Sequence, residues 1–179
     1  YIIFVPIITL FIGTKIAKRV VVSIFLAVFG LYLLCFQSDG VYSIYDLLLL
    51  IAAFFYGLHI IIVNKYSKVH PVKASCVQFL TAGILSLIPM LTIETPTFAT
   101  LLDCKIPLLY AGFLACGAAY TLQMFGQKHT FPVLASLILC LESVFAVVGG
   151  ILILNEAFTS REILGCVLMI LAVILANTK

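Results

Sequence analysis

The run FPVLASLILCLESVFAVVGGILIL, residues 131–154, decides the fold. It contains a single charge, Glu142, and is longer than the about 20 apolar residues that a helix rising ~1.5 Å per residue needs to cross a bilayer core. The rest of the chain agrees with it. Of 179 residues, 64% are hydrophobic and 9% charged, with a mean hydropathy of +1.29 and no Trp, against ~25% charged in an ordinary soluble domain. Charges are too few to cover a globule, so apolar side chains must face lipid. A water-soluble globule, a disordered chain, a coiled coil and a nucleic-acid-binding protein are excluded together.

Working outward, the charges cut the sequence into seven apolar segments: residues 1–13, too short to span, then 20–37, 47–64, 74–93, 106–127, 131–154 and 163–177. The expected fold is therefore all-α, a polytopic membrane helix bundle of seven segments. The first segment opens without an initiator Met or a polar lead, and reads as part of a longer protein rather than a secretory signal. The loops alternate in charge. Lys15, Lys18, Arg19, Lys65, Lys68, Lys73, Lys128 and Lys179 fall on one face, and only Lys105 and Arg161 on the other. The positive-inside rule makes the first face cytoplasmic, which places the C-terminus inside a multi-pass protein of the cell (inner) membrane.

Local signals mark the ends of the segments. Pro71 and Pro132 suit first-turn positions, where the missing N–H has no helical partner to lose. Thr159 and Glu162 form a T-x-x-E capping box, and Asp39-Gly40 is a turn. Tyr42, Tyr45 and Tyr66 read as interface anchors. Gly57, Gly112, Gly117, Gly149 and Gly150 read as points of close helix approach. The six cysteines, Cys35, Cys76, Cys104, Cys116, Cys140 and Cys166, have neither CxxC spacing nor a His companion, and read as small packing residues.

The first two segments share a layout with the last two. Pro6 falls opposite Ser143 and Gly13 opposite Gly150, 137 residues apart; Ser23 falls opposite Gly165 and Gly30 opposite Ala172, 142 apart. By the charge rule the first pair begins by descending into the cytoplasm and the second by climbing out. Similar pairs in opposite senses are the layout of an inverted-topology repeat of about 140 residues and five helices.

The motifs then become specific. Gly117-Ala-Ala-Tyr120, Ala135-Ser136-Leu137, Leu141-Glu142-Ser143-Val144-Phe145-Ala146, the small-residue break Gly149-Gly150, Leu154-Asn155-Glu156 and Glu162-Ile-Leu-Gly165 follow one another along the chain. From Tyr110 through Ala176 the sequence resembles the second half of an EamA-type protein of the drug/metabolite transporter superfamily. It departs at Ser143, where the family has Pro, and at Asn155, where it has Gly. The resemblance implies an inverted-repeat protein of ten helices. Residues 1–36 would be the last two helices of the first repeat, 37–45 an external connection, and 46–179 the five-helix second repeat. It also implies alternating-access movement, read as export, of a small amino-acid-like or drug-like metabolite.

Glu142 is the only acid at membrane depth, expected near the middle of a continuous helix and facing the bundle interior, since a carboxyl group there costs about 2.5–3.5 kcal/mol on insertion scales. It is either a proton or substrate-amine site or a structural hydrogen bonder. Tyr56 and His59 share a helix face at i,i+3, Tyr120 and Gln123 repeat the spacing, and Gln78 lies on a third helix. Singly, each suits an interhelical hydrogen bond. Together, Tyr56, His59, Gln78, Tyr120, Gln123 and Glu142 suit the lining of a central cavity for a zwitterionic or aromatic metabolite. Proton exchange would run through Glu142 or His59, and plain facilitated diffusion is equally compatible. Metalloprotease, serine-hydrolase and phosphate-loop motifs are missing, so no enzyme, cofactor or metal is expected. The alternatives to a carrier are a seven-helix receptor and a non-transporting membrane scaffold. The expected partners are the lipid bilayer and the small-molecule substrate, with no nucleic acid.

Overall fold

The computed structural model describes residues 1–35, 44–66, 68–94, 96–155, 157 and 159–178. The Asp39-Gly40 turn, Tyr42, Glu156 and Lys179 lie outside the described residues. Among those described, the chain is helical and has no strand. Inside a bilayer nothing but the chain itself can satisfy backbone N–H and C=O groups, and a helix does so within each segment. The helices are α1 (Phe4–Phe11), α2 (Lys18–Cys35), α3 (Ile44–Lys65), α4 (Pro71–Pro89), α5 (Phe98–Asp103), α6 (Lys105–Leu109), α7 (Tyr120–Gln127), α8 (Pro132–Leu139), α9 (Leu141–Leu154) and α10 (Ser160–Asn177). Two π-helical stretches, Met90–Glu94 and Tyr110–Ala119, continue α4 and join α6 to α7.

Six helical runs are long and apolar enough to cross a membrane: Lys18–Cys35, Ile44–Lys65, Pro71–Glu94, Lys105–Gln127, Pro132–Leu154 and Ser160–Asn177. The first segment forms only the eight-residue α1, too short to span, as its sequence predicts. Pro71 and Pro132 open α4 and α8, and the residues before them, His70 and Phe131, are extended, the conformation a following proline imposes. The Thr159–Glu162 capping box opens α10: the Thr159 hydroxyl accepts the Glu162 N–H at 3.3 Å, and Glu162 Oε2 accepts the Thr159 N–H at 2.9 Å.

Contacts divide the chain into two compact units. One comprises Tyr1–Asn64 with Thr130–Lys179, the other Lys65–His129. The first unit is built around α2 against α10. Ser23, Ala27 and Gly30 of α2 are buried, as are Gly165, Met169, Ala172 and Ala176 of α10. At their crossing the two backbones touch. A Cβ added to Gly30 would lie 2.9 Å from the Gly165 carbonyl oxygen, and one on Gly165 would lie 2.8 Å from that of Gly30. Farther along α2 the Arg161 guanidinium donates to the Tyr32 carbonyl at 3.4 Å and lies 5.9 Å from the centre of its ring. Moving toward the end of α2 thus moves toward the start of α10, and the helices are antiparallel. In that register seven residues back from Gly30 and seven on from Gly165 bring Ser23 opposite Ala172, and both are fully buried.

Two described non-helical positions share a left-handed backbone. Gly13, with φ +85°, ends α1, and its partner in conformation is Asn155, φ +54°, which ends α9. Gly150 lies inside α9, which runs unbroken through Gly149-Gly150. Gly13 and Asn155 are 142 residues apart, as are Lys18 and Ser160, Ser23 and Gly165, and Gly30 and Ala172. The same spacing therefore relates the two left-handed residues, the starts of α2 and α10, and their buried stripes. Asn155 can hold this position because Asn tolerates the left-handed conformation better than other side chains.

Two packing expectations also change. Gly57 does mark a close approach: its Cβ would lie 3.2 Å from Phe4 Cβ, where α3 meets α1. Gly112 and Gly149 have open space instead, and Gly117 meets only the Gly112 carbonyl of its own helix. Of the cysteines, which are all free, Cys140 alone is buried, Cys116 and Cys166 are half-buried, and Cys35, Cys76 and Cys104 are exposed. An apolar thiol is as compatible with lipid as with a core.

Candidate functional site

The expected continuous helix over residues 131–154 is interrupted at Cys140. The Cys140 N–H bonds the Ser136 carbonyl at 3.2 Å, but the Ser143 N–H turns back only three residues, to the Cys140 carbonyl at 3.1 Å. This tightened turn ends α8 and starts α9 with neither Pro nor Gly at the break. Glu142 consequently stands in the first turn of α9, two residues past this tightened turn. Its side chain is exposed, not interior. Leu137, Cys140 and Val144 carry the buried stripe of this segment, and two residues from Cys140 is close to the opposite side of a helix.

Tyr1 organises the surroundings of that turn. Its ring packs against the core that contains Cys140 and Val144. The Tyr1 ring meets Tyr56 edge to face at 5.0 Å, and Tyr56 stacks on His59 at 6.0 Å. Gly57 makes this assembly reachable, because the missing side chain brings α3 down onto Phe4 and Val5 of α1. The Asn64 amide, donating to the Thr130 carbonyl at 2.7 Å, pins the far end of α3 to the start of α8. Tyr56 and His59 thus gather with Tyr1, which was not singled out from sequence, and Glu142 belongs to the same unit on the exposed side of α9. An imidazole and two phenols so placed can hold a polar solute by hydrogen bonds.

Gln78, Tyr120 and Gln123 belong to the second unit, where α4 and α7 pair. The Ser75 hydroxyl donates to Met124 Sδ at 3.2 Å, Phe79 meets Tyr120 edge to face at 5.3 Å, and His70 meets Phe125 likewise at 6.2 Å. Tyr120 is therefore part of the helix contact itself. Gln78 and Gln123 flank it, each half-buried. Ser75 and Gln127, the buried polar residues of this pair, were not singled out from sequence. The i,i+4 spacing of Gln123 and Gln127 was the signal for the second. Among the described residues no group of three His, Cys, Asp or Glu is placed to hold a metal ion.

Comparison with known proteins adds the following. The model of the EamA-like transporter family matches residues 43–178. The chain is 32% identical, over 181 aligned residues, to an uncharacterized transporter of Archaeoglobus fulgidus; the match covers all of this chain and 58% of that protein. The chain spans less than two thirds of the length of this relative. No solved structure matches it.

Proposed function

The chain belongs to the EamA-like transporter family of multi-pass membrane proteins, and on that premise we propose that it exports a small amino-acid-like or drug-like metabolite by alternating access. In this reading it contributes seven segments to a ten-helix protein of the inner membrane, with its C-terminus cytoplasmic. Residues 1–36 close the first five-helix repeat, 37–45 connect, and 46–179 form the second. The observation that carries the reading is the antiparallel contact of α2 with α10 at Gly30 and Gly165, in the register of the 142-residue offset. Two repeats inserted in opposite senses require their last helices to run antiparallel, and they require the contact between Gly30 and Gly165 to have a counterpart between Ser23 and Ala172.

In the first unit the residues offered for binding a solute are Tyr56, His59 and Glu142, and in the second, taken by itself, Gln78, Tyr120 and Gln123. Glu142 exchanges a proton as the solute leaves, changing charge once per cycle. The test uses the full-length protein in proteoliposomes loaded with radiolabelled amino acids and amine drugs, with and without a pH gradient. Efflux of at least one solute above empty liposomes, abolished in its pH dependence by Glu142→Gln, is the expected result. A panel that never exceeds the empty-liposome rate counts against transport. Efflux whose pH dependence survives Glu142→Gln removes the proton role from that residue.

A further inference from the structure

The second unit, Lys65–His129, sorts its charges by end. The Ser75–Met124 hydrogen bond and the His70–Phe125 contact make α4 and α7 an antiparallel pair, so the start of α4 and the end of α7 lie together. Lys73 stands in the first turn of α4 and Lys128 directly after α7. Lys65 and Lys68 precede α4, beside a turn in which the Val69 N–H bonds the Tyr66 carbonyl at 3.0 Å. All four lysines are exposed. No Asp or Glu lies in these stretches; the acids of this unit are Glu94, at the far end of the run that α4 begins, and Asp103, at the end of α5.

Between the lysines stand exposed apolar groups, Tyr66 at 61% and Val69 at 47% of their full accessibility. Ammonium groups alternating with apolar side chains, at the level where apolar helical runs begin, match the two chemistries of a phospholipid at its headgroup. A free phosphate ion would make no use of Tyr66 and Val69. Basic clusters beside membrane helices attract anionic lipid, each lysine strengthening binding about fivefold. We infer that this end of the second unit binds the headgroup of an anionic phospholipid.

The experiment titrates full-length protein in neutral detergent with fluorescently labelled phosphatidylglycerol and, separately, phosphatidylcholine, following anisotropy. In detergent no membrane orientation is at stake, so the role of lysines in setting topology does not enter. Phosphatidylglycerol should bind at least about tenfold more tightly than phosphatidylcholine. The pair Lys68→Gln with Lys73→Gln should erase that preference, Lys68→Arg with Lys73→Arg should keep it, and Lys105→Gln should leave it unchanged. Equal binding of the two lipids overturns the inference, and this comparison needs no variant to fold. So does a preference that survives both Gln substitutions, is lost equally in Lys105→Gln, or is abolished by millimolar inorganic phosphate, which would make a free anion the occupant.

Discussion

Adding one methyl group to Gly165 tests the closest contact in the structure. Its Cβ would stand 2.8 Å from the Gly30 carbonyl oxygen and 2.9 Å from Leu34 Cγ, whereas carbon-to-oxygen contacts between helices settle at ~3.3–3.6 Å. Helices α2 and α10 must then part by about 0.5 Å, a gap that forfeits a quarter or more of the dispersion energy of every atom pair along the crossing. Overpacking of this kind costs about 1–3 kcal/mol. Replacing a helical Gly by Ala returns up to about 1 kcal/mol through propensity, so Gly165→Ala should lose about 1–2 kcal/mol net. Gly30→Ala should lose a similar amount, because its Cβ meets Met169 Cγ at 2.8 Å and the Gly165 carbonyl at 2.9 Å. The double variant should cost less than both singles together, by at least about 0.5 kcal/mol, since the second methyl enters a gap the first has opened. Gly83, with nothing within 4 Å of its would-be Cβ, supplies the control. Reversible unfolding in mixed micelles, followed by far-ultraviolet circular dichroism, measures all four variants. If Gly165→Ala is as stable as Gly83→Ala, or the two losses simply add, the close crossing is wrong.

Two further outcomes follow from the helix ends. Thr159→Ala should cost about 1 kcal/mol, because the Glu162 N–H loses the hydroxyl at 3.3 Å and keeps only the Thr159 carbonyl at 3.0 Å; an unchanged melting temperature would deny the cap. Asn155→Gly should melt no lower than the native protein, whereas Asn155→Val should lose about 1–2 kcal/mol, because a branched side chain resists the left-handed backbone at φ +54°. Equal melting of the two would mean that α9 does not end as described.

The apolar runs and the helix starts were legible because each is a local matter. Pro71, Pro132 and the Thr159–Glu162 pair act within one turn, on their own backbone. The stripe that mattered most, Ser23, Ala27 and Gly30 against Gly165 and Ala172, was legible only in part. Its residues were found through the repeat, but small side chains do not announce which of several glycines meets a partner. Residue type pairs Gly13 with Gly150, whereas backbone conformation likens it to Asn155, which no residue pattern announces. The break at Cys140 had no Pro or Gly to signal it, and so Glu142 was expected at mid-helix and interior. The π-helical stretch over Tyr110–Ala119 leaves the apolar pattern unchanged. Its only trace is Gly112 and Gly117, five residues apart, with the carbonyl of one 3.2 Å from where the Cβ of the other would stand. Tyr1 could not be recognised as a site residue because its partner Tyr56 is distant in sequence.

The opposed sense of the two helix pairs is most directly tested by sided labelling. Lys15 lies just before α2, and Arg161 is held at the other end of α2 against Tyr32. In a full-length protein whose native cysteines are replaced by serine, Lys15→Cys and Arg161→Cys are exposed in turn to a membrane-impermeant maleimide, in intact cells and in inverted vesicles. Labelling of Arg161→Cys only in cells and of Lys15→Cys only in inverted vesicles is the expected result. Modification of both positions from the same side would contradict it.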